Sequence, residues 1–337
     1  MARLNIALLI SALPAALAFP KHWGVGHAVI HDRGAAYKHR TSTSIAPYVS
    51  SSSSTLVASS TSTSVVSSTN ALSSTAVAPS SSSSLSSSSS AASTPSSYAA
   101  NTKRGLAYNT ASLTSAFTSA PISWAYNWGD STSGLPSEFE FVPMLWGLDD
   151  HTIGWITTAD AAVSSGTGYL LGFNEPDIIV AWGGSGISTA DAVTGWNTYM
   201  QPFAGGATKL GSPGVSNAPA PQGLGWLAQF VEECSGCQID FLVIHWYCGS
   251  GDAVDSAIAD FQSHVGQAIT QANGKPVWIT EFRYIGPGDE SDFINQVLPW
   301  LDANTGVERY SYFMVSSGNL LTGTGLSATG EAYATAA

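Results

Sequence analysis

Basic residues are scarce in this sequence. Lys and Arg number 11 against 23 Asp and Glu, and charged residues of both signs make up only 10% of the 337 residues. Seven of the 11 bases precede Gly105, together with a single acid, Asp32. The chain from residue 105 onward therefore carries a formal charge of −18. So acidic a surface repels nucleic-acid backbones and anionic bilayers, which excludes both as partners and suits an uncharged substrate. Unbroken apolar runs are short, and none reaches the roughly 18 residues a membrane span needs. The end of the chain, Ala332-Tyr333-Ala334-Thr335-Ala336-Ala337, lacks the hydrophobic tail of a lipid-anchor signal. There is no Asn-x-Ser/Thr sequon, so N-glycans are not expected. The Gly-x-Ser-x-Gly nucleophile elbow is also missing. Gly183-Gly184-Ser185-Gly186 has no following Lys and no strand feeding it, so it is not a phosphate loop.

The first third of the chain reads as leader and linker. Residues 1–18 place Arg3 before the apolar run Ile6-Ala7-Leu8-Leu9-Ile10 and end in Ala16-Leu17-Ala18, the pattern of a secretory signal peptide. Residues 19–40 read as a propeptide or disordered segment. Its His22, His27 and His31 lack companions of ligand character, so no metal site is expected there. From residue 41 to 104 the chain is mostly Ser and Thr. It has no apolar face at either structural period and cannot repay the entropy of ordering. It reads as a disordered, O-glycosylated linker. Lys103-Arg104 closes it as a candidate dibasic processing site. The whole is expected outside the cell, unanchored and monomeric.

Residues 105–337 alternate between strand-like and helix-like segments. Strands are expected at 105–109, 123–128, 141–146, 169–175, 209–213, 240–247, 276–282 and 307–314. Helical stripes stand between them: Leu113, Ala116, Phe117 and Ala120, for example, or Val254, Ile258, Phe261, Val265 and Ile269. Eight alternations in this length predict a (β/α)8 barrel.

The stretch Gly172-Phe173-Asn174-Glu175-Pro176-Asp177 then stands out. Pro176 cannot donate to a ladder, so the fourth strand ends there and leaves Glu175 at the barrel mouth. A carboxylate at such a turn can also be a plain helix cap. Glu281 decides between the two, because it ends the seventh strand in the same way. Cleaving a glycosidic bond requires one carboxyl to protonate the leaving oxygen and an ionised one to attack the sugar carbon. Asn174 is placed to hydrogen-bond a sugar hydroxyl. His245 and Tyr247 share a face of strand six, from which one can orient Glu281. Trp124, Tyr126 and Trp128 alternate along strand two and Trp146 ends strand three, a row of rings suited to the C–H faces of sugars. Asn127 belongs to the same loop. Asp149, Asp150 and His151 read as a solvated loop. No metal or cofactor is expected. Cys234-Ser235-Gly236-Cys237 suggests a local disulfide, with pairing of Cys237 to Cys248 the alternative.

Several stretches together resemble glycoside hydrolase family 128, which includes fungal alkali-sensitive linkage proteins. They are Gly105-Leu106-Ala107-Tyr108-Asn109, Phe173-Asn174-Glu175-Pro176-Asp177, Ile239 to Tyr247, Ile279-Thr280-Glu281-Phe282 and Val307 to Met314. The resemblance implies a retaining barrel hydrolase of β-1,3-glucan, with Glu175 as acid/base and Glu281 as nucleophile, at work on a fungal-type cell wall. A non-catalytic glucan-binding protein and a hydrolase of another β-linked polysaccharide are the alternatives. Two stretches depart from the family pattern. Ile178 to Gly184 stands where a polar loop is usual, and Cys248 stands where Gly is common.

Overall fold

The structure is a computed structural model and describes residues 102–336. Eight parallel strands form one sheet: β1 (Arg104–Tyr108), β2 (Trp124–Tyr126), β3 (Glu140–Phe141), β4 (Tyr169–Leu171), β5 (Lys209–Val215), β6 (Phe241–Tyr247), β7 (Val277–Arg283) and β8 (Val307–Val315). Their spatial order is β3-β2-β1-β8-β7-β6-β5-β4. The two ends of that order also meet. Met144 bridges Leu171, the Leu145 amide donates to the Leu171 carbonyl (3.0 Å), and the Leu171 amide donates to the Pro143 carbonyl (2.9 Å). The sheet thus curls into the expected barrel.

Six α-helices accompany it: α1 (Trp155–Ser164), α2 (Thr189–Gly195), α3 (Gly223–Glu233), α4 (Val254–Ala272), α5 (Glu290–Ala303) and α6 (Ala328–Thr335). The stripe after β1 forms a 3-10 helix, Ala111–Phe117, instead of an α-helix, and no helix separates β2 from β3. The connection there, Gly129-Asp130-Ser131-Thr132-Ser133-Gly134, has no apolar face to dock. The third strand is shorter than expected because Pro143 cannot donate to the ladder. A short antiparallel pair, β9 (Leu321–Thr322) and β10 (Gly325–Leu326), precedes α6.

Strand alternation separates two cores. Leu106, Leu170, Leu242, Ile244 and Ile279 point outward and pack under the helices. Ala107, Trp124, Tyr126, Leu171, Phe241, Val243 and Trp278 point inward and fill the barrel. Gly105 is required beside Trp124, since a Cβ there would lie 2.2 Å from the indole. At the N-terminal end of the barrel the Arg309 guanidinium lies 4.2 Å from the Tyr169 ring centre and 4.7 Å from that of Trp278. It bonds Glu140 at 2.7 Å. A cation under aromatic faces and paired with one carboxylate closes that end without leaving a buried charge alone.

The expected boundary at Gly105 shifts slightly, because Arg104 already belongs to β1. It is 3% exposed and bonds Asp302, the Tyr310 hydroxyl and the carbonyls of Tyr333 and Ala336. Lys103 caps α5 through the carbonyls of Leu301 and Asn304. The dibasic pair thus ties the first strand to the last two helices. The leader and the Ser/Thr tract to residue 101 lie outside the described residues, and so do His22, His27 and His31. The disulfide forms between Cys234 and Cys237, while Cys248 is a buried free thiol.

One histidine of the helical layer makes stability depend on pH. His264 on α4 donates to the backbone of His245, and burial pushes its pKa down from 6.5 to about 4 despite Asp260 nearby. Below pH 6.5 the unfolded chain takes up a proton that the folded chain refuses, so stability falls until about pH 4, where both states carry it. We predict that Tm falls more steeply across this window in the wild type than in His264→Gln, as read by calorimetry.

Candidate active site

Glu175 and Glu281 meet at the C-terminal mouth of the barrel. Both are buried, at 1% and 2% exposure, and an oxygen of each lies within 4.8 Å of the other and of His245 Nδ1. His245, fully buried on β6, sits between them. Its Nδ1 is 2.9 Å from Glu175 Oε1 and 3.6 Å from Glu281 Oε1, and its Nε2 is 2.9 Å from Thr280 Oγ1. Burial alone would discourage charge on this imidazole. The carboxylates of Glu281 and Glu175 outweigh that and hold its pKa above the ordinary value. The contact at 2.9 Å is a hydrogen bond between His245 and Glu175.

Glu281 receives two further donors. The Trp128 indole N–H donates to Oε1 (2.7 Å) and the Tyr247 hydroxyl to Oε2 (2.5 Å). Burial, followed by the charges of Glu281 and Glu175, drives the Tyr247 pKa well above 10.0, so the phenol stays protonated and donates. Donation to both oxygens fixes the direction of the carboxylate. Replacing Trp128 with Phe removes one such charge-assisted bond. That substitution should lower kcat/KM on a glucan substrate by about 10- to 100-fold, as measured by reducing-end release.

Two of the three non-glycine residues with positive φ among the described residues belong to this site: Glu175 (φ 40°) and Trp128 (φ 60°). Such a backbone costs on the order of 1–3 kcal/mol and persists where its surroundings determine it. At Glu175 those surroundings are clear. Its amide donates to the Gly214 carbonyl of β5 (2.7 Å), and its carbonyl accepts from Ser185 (3.2 Å). The intervening loop returns on Gly184, where a Cβ would stand 2.3 Å from the Ile178 carbonyl oxygen, so only glycine fits. The glycine run that resembled a phosphate loop therefore closes this turn. Asp177, also buried, accepts from Ser216 and Gly223 and fastens the same loop to the chain after β5.

The other expected residues divide. Asn174 is 4% exposed, and its Oδ1 is buried without a hydrogen-bond partner, so an acceptor remains free beside Glu175. Trp146, half-buried, lies against the His151 ring at 4.6 Å. Trp128 lies at the mouth with Phe313 5.7 Å away. Tyr126 lies deeper than the other rings. It is fully buried beneath Trp128, and its hydroxyl donates to the Thr280 carbonyl (2.9 Å). Asn127 is likewise engaged in its own loop, donating to the Ser131 carbonyl and accepting from Gly129. Tyr247 is the residue that orients Glu281, whereas His245 bonds chiefly to Glu175.

Sequence reasoning missed Thr280. Adjacent residues on a regular strand face opposite ways, yet Thr280 and Glu281 both face the site. The register of β7 against β8 shifts between Ile279 and Phe282, and that against β6 between Ile244 and His245. No sequence period announces such a bulge.

A parallel barrel with two buried carboxylates at its mouth defines a glycosidase-type protein, and the chain belongs to the family described as glycosyl hydrolase catalytic core, matched over residues 105–333. Within it the chain is a member of glycoside hydrolase family 128. A curdlan-specific exo-β-1,3-glucanase of subgroup III from Blastomyces gilchristii is 43% identical with a TM-score of 0.63. The match covers 69% of this chain and 97% of that one. A subgroup I endo-β-1,3-glucanase from Amycolatopsis mediterranei, in complex with laminaritriose and laminaribiose, is 28% identical. Its TM-score is 0.60, with coverage of 70% and 99%. Alkali-sensitive linkage protein 1 of Schizosaccharomyces pombe is 34% identical over 237 residues. The match covers 64% of this chain but only 41% of that protein, so the chain matches less than half of its length.

Proposed function

We propose that this chain is a secreted retaining hydrolase of β-1,3-glucan, acting on fungal-type wall polysaccharide. The observation that carries the reading is the closeness of two buried carboxylates, within 4.8 Å. Retaining glycosidases hold their carboxyls about 5–5.5 Å apart, whereas inverting ones leave about 6.5–9.5 Å for a water molecule. The β-1,3-glucanase activity of the similar solved proteins supports the linkage. The signal-like N-terminus and the Ser/Thr tract support secretion.

In the first step Glu281 attacks the anomeric carbon while Glu175 delivers its proton to the departing glycosidic oxygen. An ester to Glu281 forms and the glycosidic bond breaks. In the second step Glu175, now ionised, takes a proton from water, whose oxygen displaces Glu281 from the sugar. His245 holds Glu175 in place, while Trp128 and Tyr247 keep Glu281 aimed. The free Asn174 oxygen accepts a sugar hydroxyl, a bond that strengthens as the transition state forms. Trp146 and Trp128 offer ring faces to the substrate.

The test is a side-by-side assay of β-1,3-, β-1,4- and β-1,6-glucans, with the first product followed by proton NMR. Release from the β-1,3 polymer with the β-anomer appearing first is the expected result. No release, or the α-anomer first, overturns the reading.

A further inference from the structure

The same three side chains have a second chemistry. Glu175, His245 and Glu281 form a cluster of one imidazole nitrogen and two carboxylates, contributed by the turn after β4, by β6 and by β7. The set is compact along two of its edges, 2.9 and 3.6 Å from His245 Nδ1. We propose that it is a binding site for one zinc or copper ion, which excludes glucan from the barrel mouth.

Donor chemistry selects the ion. Imidazole with carboxylates suits Zn²⁺ and Cu²⁺, while the hard ions Mg²⁺ and Ca²⁺ favour all-oxygen shells. Zn²⁺ binds N and O at about 2.0–2.1 Å, so tetrahedral ligand atoms sit about 3.3 Å apart. Both edges to His245 are already near that length. The remaining edge, no longer than 4.8 Å, must shorten for a tetrahedral site.

The surroundings match those of a metal site. When Nε2–H donates to Thr280 Oγ1 at 2.9 Å, the Nδ1 lone pair turns toward both carboxylates. Outer partners of this kind orient a ligating histidine and raise its affinity. Three donor atoms then converge in a pocket at most 2% exposed, where a divalent ion competes with the proton that Glu175 and His245 hold. An ion bound to both glutamates occupies the space of the reacting sugar, so the two compete. The competition rests on the function proposed above; the ion binding does not.

The experiment titrates the full-length protein with ZnCl₂ by calorimetry, and with Co²⁺ by its visible absorption. One ion per chain is expected, with tetrahedral-type Co²⁺ bands. His245→Gln and Glu281→Gln should each weaken binding more than about tenfold, and Thr280→Val about tenfold, each at an unchanged circular-dichroism spectrum. The rival ligands are His22, His27 and His31. A chain with all three replaced by Ala keeps full affinity if the barrel holds the ion. Added laminarihexaose should raise the apparent Kd for Zn²⁺. Undiminished binding in His245→Gln, loss of binding in the triple-Ala chain, or no binding to the wild type each overturns the proposal. A wild type that binds Zn²⁺ but releases nothing from any glucan overturns the function and leaves the ion site standing. Hydrolysis without Zn²⁺ binding does the reverse.

Discussion

Glu281→Gln should abolish hydrolysis of β-1,3-glucan while leaving the polymer bound. The amide keeps the shape of the carboxylate, and its oxygen still accepts from the Trp128 indole while its NH₂ group faces the Tyr247 oxygen. It has no anionic oxygen to form the sugar ester. Loss of a nucleophile typically costs 10⁴-fold or more in kcat, so a drop of at least about 10⁴ is expected. Calorimetry with laminarihexaose should give a Kd close to that of a wild type saturated with the same ligand before turnover. Residual activity above about one part in a hundred would remove Glu281 from the nucleophile's role.

The second large effect concerns Glu175 and depends on the substrate. Glu175→Ala should lower kcat on glucan by about 10²–10⁴-fold, the usual size of a lost general acid. An aryl glucoside that departs as an acidic phenol needs little protonation, so its first step should be nearly spared. Phenol then appears in a burst, followed by slow turnover, because the base for the attacking water is also gone. Azide should restore turnover and leave a β-glycosyl azide, since the space left by the side chain admits the anion. Equal losses on both substrates, with no azide effect, would make Glu175 a structural residue only. The two glutamates share His245, so their separate effects are not expected to add.

Much of the barrel was legible because most of its strand residues alternate between the two faces. Phe241, Val243 and His245 face in while Leu242 and Ile244 face out, and a period of two in the sequence announces that arrangement. The helical stripes on α4 and α5 were equally plain. The failures were local. The stripe after β1 was too short to choose between α and 3-10 turns, and Pro143 cut short a strand that hydropathy alone had extended.

At the site, residue type went further than residue role. Glutamates after two apolar strand-like runs, with Asn174 beside one of them, are visible as letters, and so is the aromatic row that starts on β2. Which ring meets a ligand is not visible. Trp124 and Tyr126 share a face with Trp128, and only their depth in the barrel makes the first two core and the third a partner of Glu281. Asn127 belongs to its own turn because Ser131 and Gly129 lie within reach of its amide.

The sequence by itself determined the class of fold, the acidity of the barrel, and which two carboxylates pair at its mouth. These follow from period, composition and strand ends, all properties of neighbours along the chain. Tertiary structure alone decided that Thr280 fixes His245, that Tyr247 and Trp128 hold Glu281, and that Arg104 belongs to the barrel and not to the linker. Each of those contacts joins residues far apart in sequence. They depend on sheet register and on a bulge in β7 that shifts the register by a single residue. A one-residue shift decides which face a side chain takes, and no local pattern records it.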